Sequence, residues 1–501
     1  MENNIFLNKF EEATEITETM NGAYTYTTSG SRVLDLFSML PASRYRNFDE
    51  VTKMVYRALD EDELLTMKVI FWCRDREKQG ERDLFKNIIR FLANDEKYTH
   101  LVKNNIKNIP TFGRWSDLFV LLDTPLEDVM IKFIKNQLVK DLKSDHPSLL
   151  AKWMPTEYGS NKDKKRMALK IRQKFGWSVT YYRKRLSLLR KRIGIVETKI
   201  TEGRYSDIDY SKVPSLASFK YKSAFDRNDT ERYNKYLEEV ANGTKKMNTS
   251  TLKPIDLVRN VINSRSENNL DYLNTAWENL PDYLQGKKVN DIAVVDVSGS
   301  MTCNDSVPLF TAIALGLYLA DKTTGPYSGH VITFDSNPKL IKIQGNNFTE
   351  KVRYIQNMSW GYTTNIEAVF DLILEVAIKN KLSQEDIPER LFIISDMEFN
   401  SAVREDDYLF STRSSDRYRE VLFETIKKKF EANNYKLPRI VFWNVNSMQD
   451  NIPMKMTDDG VQLVAGSNPS LFEALLSGKF LSAYDLMLEV INSKRYDVIT
   501  K

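Results

Sequence analysis

The sequence predicts a multidomain protein, an N-terminal all-α helical array followed by a C-terminal doubly wound α/β domain of Rossmann type. Three observations carry this. Between about residues 45 and 285 apolar residues recur at helical spacing with almost no strand-like run. After residue 285 short apolar runs alternate with helical stretches. Such alternation is the pattern of a parallel sheet with helices on both faces. The boundary is placed near KKVND (287–291), giving a helical domain over 1–286 and an α/β domain over 287–501.

In the helical part, ERDLFKNIIRFL (81–92) puts Leu84, Phe85, Ile88, Ile89 and Leu92 on one helix face. LEDVMIKFIKNQLVKDL (126–142) does the same with Val129, Met130, Phe133, Ile134, Leu138 and Leu142, after Thr124 and Pro125 placed as N-cap and first-turn residues. The succession reads as a solenoid-like, HEAT-like array without a clean repeat of fixed period.

In the α/β part, strands are expected at 291–296, 330–334, 391–395, 439–443 and 461–465, and helices at about 308–321, 365–380, 416–432, 469–477 and 483–495. The first strand, DIAVVD, is nearly continuously apolar, as a strand buried on both faces should be. It runs directly into VSGSMTC, so oxygen-bearing Asp296, Ser298 and Ser300 alternate at its end.

Composition excludes several classes. The chain has 501 residues, 42% hydrophobic and 28% charged, enough for two or three domains with their own cores. Cys73 and Cys303 lie too far apart to suggest a disulfide framework or a Cys-based zinc site; both read as buried small apolar residues of a protein in a reducing compartment. The N-terminus MENNIFLNKFEEATE lacks signal-peptide regions, and no apolar run approaches the roughly 18 residues of a membrane span. A cytoplasmic protein without membrane contact is expected. With only 3 histidines, and His330 at the start of its own strand, neither serine has an evident base, so no enzyme activity is assigned.

Functional loops of a doubly wound sheet gather at the carboxyl ends of its strands. There the sequence offers Asp296, Ser298 and Ser300, then GYTTN (361–365) before a helix with Thr364, then SDMEF (395–399) with Asp396. Two carboxylates and three hydroxyls suit Mg²⁺ or Mn²⁺ with coordinated water and disfavour Zn²⁺ or Cu²⁺. So few anionic ligands leave a metal electrophilic, able to accept a carboxylate or phosphate oxygen from a partner. The competing reading is a set of turn and cap residues. Because the set lies at a loop edge, its loss is expected to leave the fold intact.

DVSGS resembles the metal-ion-dependent adhesion site of von Willebrand factor A domains. That resemblance implies a metal held by Asp296, Ser298, Ser300, Thr364 (with Thr363 as the alternative) and Asp396. The position after the last Asp, usually Gly, is Met397. NGAYTYTTSGSRVLDLF (21–37), CRDREKQGERDLF (73–85), GRWSDLF (113–119), KWMPTEYGSNKDKKR (152–166), YRKRLSLLRKRI (182–193), DIDYSKVPS (207–215) and SDMEFN (395–400) are similar to an uncharacterised family, domain of unknown function 2828. There a helical region precedes a von Willebrand A-like domain. The layout also resembles the Ro autoantigen class of TROVE proteins, which implies RNA binding by the helical part.

The overall charge of +4 hides a local one: 162–192 holds 13 Lys and Arg against one acid, Asp163. Lys164, Lys165, Arg166, Lys170, Arg172 and Lys174 precede a second helix in which Tyr182, Leu186, Leu189 and Ile193 form an apolar stripe. Around that stripe Arg183, Lys184, Arg185, Arg190, Lys191 and Arg192 are expected on an exposed arc. Such density is self-repulsive unless an anion is near, and polyanionic RNA or DNA is the natural one, with RNA, single-stranded RNA in particular, taken as the partner; a solvated helix face is the bland alternative. Trp177, Tyr181 and Tyr182 offer stacking faces, though core packing competes for them. The reading is a non-catalytic RNA-binding, ribonucleoprotein-like scaffold with a metal-dependent ligand site. The alternatives are a protein-interaction adaptor whose metal captures a partner's acidic residue and, more weakly, a metal-dependent phosphoester hydrolase.

Overall fold

The apolar runs after residue 285 become strands that pair side by side. The computed structural model describes residues 15–501 except 159, 264–269, 335–336, 359–364, 401–421 and 478–479. The chain divides into two compact units, one taking in the chain up to Asp62 together with Leu252–Asn492, the other Glu63–Thr251 and Ser493–Lys501. The unit built on the sheet thus also takes in chain before 62 and over 252–286, which the sequence reading placed with the helical part.

In the first unit β1 (Ile16–Glu18) and β2 (Tyr24–Tyr26) form an antiparallel hairpin. A mixed sheet follows, built from β3 (Asp291–Asp296), β4 (His330–Phe334), β5 (Leu340–Lys342), β6 (Arg390–Ser395), β7 (Arg439–Asn444) and β8 (Val461–Ala465). The order is β5-β4-β3-β6-β7-β8, all parallel except β5, which lies antiparallel to β4 at the edge. Every residue of β3 and β6 is buried, so both faces of the sheet centre are covered. The five expected strands are present; the edge strand and the hairpin are additional. Of the expected helix at 416–432, residues 416–421 lie outside the described residues and Leu422–Ala432 is helical.

The helix Cys303–Lys322 packs on β3 so closely that a Cβ at Gly316 would meet Val295 Cγ2 at 2.5 Å. Among the described residues, Gly299–Lys322 is long and apolar enough to cross a membrane by length and composition, contrary to the sequence reading. Its apolar surface serves the sheet, and its best window is 67% buried.

The second unit is helical. In the helix Asp83–Ala93 all five expected face residues are buried. In Glu127–Lys143 Met130, Ile134 and Leu138 are buried, and Val129, Phe133 and Leu142 are half-buried. Two family-like segments meet at a buried fork: Arg74 donates from Nε and Nη2 to Asp117 Oδ2 at 2.8 and 2.6 Å. Nearby, Asp75 accepts from Tyr496 Oη at 3.0 Å and from the guanidinium of Arg495.

Candidate functional site

From β3 the chain passes to β4 on one side and later returns to β6 on the other, so the strand order reverses between β3 and β6. At such a switch point the loops diverge and leave a crevice at the carboxyl ends. Asp296 ends β3 and Asp396 follows β6, so both carboxylates stand there.

Asp296 is 0% exposed. Its Oδ1 accepts the Ser298 backbone N–H at 2.9 Å, the Asx-type bond that turns the chain out of the strand. Its Oδ2 accepts from Ser395 Oγ at 2.5 Å. Ser298 Oγ lies 3.1 Å from Ser300 Oγ, and the Ser300 hydroxyl bonds Asp396, whose Oδ1 also accepts the Glu398 N–H at 3.3 Å. The fold therefore brings Asp296, Ser298, Ser300 and Asp396 together. Thr363 and Thr364 lie outside the described residues. Ser300 is exposed and the other three are buried, which gives the cluster one open side.

Burial, and then the neighbouring charge of Asp396, hold the Asp296 carboxyl above its ordinary range, against the bonds from Ser395 and Ser298. Burial raises Asp396 as well, against its bonds from Ser300 and the Glu398 N–H. Among the described residues no Lys, Arg or His forms an ion pair with either. Nor do three or more His, Cys, Asp or Glu side chains gather among those residues to hold a metal; the cluster offers two carboxylates and hydroxyls.

The expected loop-edge position holds for the exposed Ser300 and is corrected for Asp296, Ser298 and Asp396, which are buried. Asp296 and its partner Ser395 are both fully buried, because the turn bends the carboxylate back over the sheet end. Cys303 is exposed rather than buried, since it begins a helix at the loop edge; Cys73 is buried. Immediately beyond it Asn304, Asp305 and Ser306 hold φ of 53°, 58° and 58°, a left-handed turn costing roughly 1–2 kcal/mol per residue. Met397 has φ 65°, in the region that favours glycine.

Sequence reasoning missed what positions Asp396. The hairpin β1–β2 clasps the loop after β6: Thr19 Oγ donates to Phe399 O and Asn21 Nδ2 to Glu398 O, both at 2.6 Å. The Glu398 carboxylate accepts the Met20 N–H and Asn451 Nδ2, each at 2.8 Å. Glu398 and Phe399 lie inside the family-like segment SDMEFN, whereas on the hairpin side only Asn21 lies inside NGAYTYTT, and Thr19 and Met20 precede it.

The basic segment forms the helices Lys162–Phe175 and Val179–Ile193, ended by Gly176 and Gly194 in left-handed conformation. Tyr182, Leu186 and Leu189 are buried as expected and Ile193 is half-buried. The expected lack of compensating acid is corrected, because acids distant in sequence supply it. Lys170 bonds Asp123 and Glu127 at 2.5 Å, Lys174 bonds Asp128 at 2.8 Å, and Arg172 bonds Glu157 at 2.5 Å. These bonds raise Lys170 and Lys174 above the usual lysine range. Arg190 leaves the expected exposed arc: it is half-buried and donates to Ala151 O and Met154 O at 2.8 Å. Lys164, Lys165, Arg166, Arg183, Lys184 and Lys191 are exposed. Tyr182 turns its hydroxyl inward to Pro155 O at 2.8 Å, and the Trp177 and Tyr181 rings meet edge-on, 5.0 Å apart.

Residues 147–287 match a family described as a domain of unknown function, DUF2828, and residues 290–497 match another, DUF7788. An uncharacterized protein of Acanthamoeba polyphaga mimivirus is 31% identical over 517 residues, covering 94% of this chain and 86% of the viral one.

Proposed function

The chain belongs to the family of that mimivirus protein, and we propose that it is a non-catalytic binding scaffold whose sheet-bearing unit is a von Willebrand A-like, cation-dependent ligand-binding domain. One observation supports this above the others: two buried carboxylates, linked through hydroxyls at the switch point, have no basic partner among the described residues. Burying carboxylates without compensation is costly, and a divalent cation is the compensation an all-oxygen set accepts. Asp296, Ser298, Ser300 and Asp396, with Thr364, would hold Mg²⁺ or Mn²⁺. When bound, the ion supplies a Lewis-acidic position for an oxygen of an acidic side chain on a partner protein. Ser300 stands on the open side, where such a partner approaches, and Ser395 and the Glu398 N–H fix the two carboxylates.

Because the ion binds only the folded site, Mg²⁺ at 100 times its Kd stabilises by about 2.7 kcal/mol. Thermal unfolding with and without Mg²⁺ tests this. The rise should vanish in Asp296→Asn, and an equal rise in that variant would end the reading.

A second reading, an RNA-binding, ribonucleoprotein-like scaffold in the cytoplasm, is supported by the exposed Lys164, Lys165, Lys184 and Lys191, which carry no ion pair among the described residues. Each phosphate neutralised on single-stranded RNA contributes about −0.7 to the log–log salt slope. Replacing these four by Gln should flatten the slope, and an unchanged slope would leave them a solvated face.

A further inference from the structure

The Val179–Ile193 helix borders a cleft of about 990 Å³ in the helical unit, closed on its other sides by the Thr156–Tyr158 segment and by the chain from Gly194 to Arg204. Its volume is that of a small-ligand site. Five basic side chains line it against two acids. Both acids are already engaged, Glu157 by Arg172 and Glu202 by Arg204, so the charge left unanswered is positive.

That positive charge is concentrated on one edge. Arg183 and Lys191 lie eight residues apart, roughly 12 Å along one helix face, with Ser187 between them. Arg190, beside Lys191, is half-buried without a carboxylate partner, and burial lowers its affinity for the proton. Lys191 is exposed and forms no ion pair among the described residues. Tyr158, which also lines the cleft, is 58% exposed, and the Arg183 guanidinium lies over its ring, 5.8 Å from the centroid. Val179 and Ile195 add apolar wall.

We propose that this cleft binds a nucleoside phosphate, its base stacked on Tyr158 and Arg183 and its phosphate held by Arg190 and Lys191. A bare phosphate or an acidic peptide uses the cations but leaves the exposed ring and apolar wall without a role. A base fills them, because every base offers a π-face to an aromatic ring or a guanidinium plane. The ligand is a free nucleotide or one nucleotide of a single strand; only the strand rests on the RNA reading above, and neither depends on the cation site.

The test uses the full chain in EDTA, which removes any contribution of a bound divalent cation. The probes are mant-ATP and a fluorescein-labelled ten-residue oligouridylate, read by anisotropy in wild type, Tyr158→Ala, Lys191→Gln and a control outside both the cleft and the basic helices, the exposed pair Lys132→Gln/Lys140→Gln. Tyr158 and Lys191 are exposed, so both variants should keep the wild-type melting temperature. Loss of the stacking face should weaken binding roughly tenfold or more, and Lys191→Gln should weaken it several-fold, while the control stays within twofold for mant-ATP. Binding of mant-ATP with this pattern assigns a free nucleotide, and binding of the oligonucleotide alone with the same pattern assigns a strand. Failure of both probes to bind, affinities unchanged by Tyr158→Ala and Lys191→Gln, or equal losses in the control overturns the proposal.

Discussion

Replacing Glu398 by Ala should loosen the clasp that positions Asp396. The carboxylate is 5% exposed and accepts two donors, the Met20 N–H and Asn451 Nδ2, each at 2.8 Å. A buried donor left without an acceptor costs about 1–3 kcal/mol. Met20 is 73% exposed, so water can replace the lost partner there, whereas Asn451 is 4% exposed and finds none. The expected loss is therefore about 1–3 kcal/mol, most of it at Asn451. Glu398→Gln keeps one acceptor oxygen and should lose about half as much. Hydrogen exchange under increasing urea reads this locally, since the amide of Tyr26, bonded to Ile452 O at 2.9 Å, reports hairpin docking and those of β3 report the sheet. Hairpin protection should fall first and β3 protection less. Hairpin exchange in Glu398→Ala indistinguishable from wild type would refute the clasp, and with it the assigned reason for the placement of Asp396.

Gly113→Ala should break the Arg74–Asp117 fork, because the new Cβ would lie 2.4 Å from Asp117 Oδ2 and 2.9 Å from Arg74 Nε; chemical denaturation should show a loss of about 3–5 kcal/mol, as for other broken buried pairs. Met397→Gly relieves a left-handed backbone but removes a side chain only 2% exposed; burial outweighs the relief, so denaturation should show a net loss of about 1–2 kcal/mol. At the other end of β3, burial pushes Asp291 up to about 6, with Arg390 at 3.3 Å lowering it only in part. Between the ordinary carboxylate range and pH 6 the folded chain keeps a proton that the unfolded chain releases, so stability falls as pH rises through that window, by on the order of 3 kcal/mol. Asp291→Asn should flatten that part of the stability–pH curve, and an unchanged curve would remove Asp291 as its source.

The strands were legible because continuous burial leaves an apolar run no other reading, as in IAVV before Asp296 and LFII before Ser395. That Asp296 and Asp396 come to the same sheet edge was legible for the same reason, since each stands at the end of such a run. The hairpin β1–β2 was not: three-residue strands such as ITE and YTY carry too little alternation to stand out, and their pairing with the loops after β6 and β7 is long-range. Ion pairing in the basic segment was hidden likewise. Asp123, Glu127 and Asp128 answer Lys170 and Lys174 from more than forty positions away, outside any local charge window. Arg190 illustrates a further limit, because a helical wheel places it on the polar face while the carbonyls of Ala151 and Met154 draw it inward.

Calorimetric titration of the full chain with Mn²⁺ tests the cation site most directly, comparing wild type with the Asp296→Asn/Asp396→Asn double variant. Asn keeps the side-chain shape and one acceptor oxygen while removing both charges, so the fold should survive and be verified by melting. We expect one Mn²⁺ per wild-type chain, competed by Mg²⁺, and none in the double variant. Equal Mn²⁺ affinity in the two proteins, or no binding to wild type, would contradict a cation held between Asp296 and Asp396.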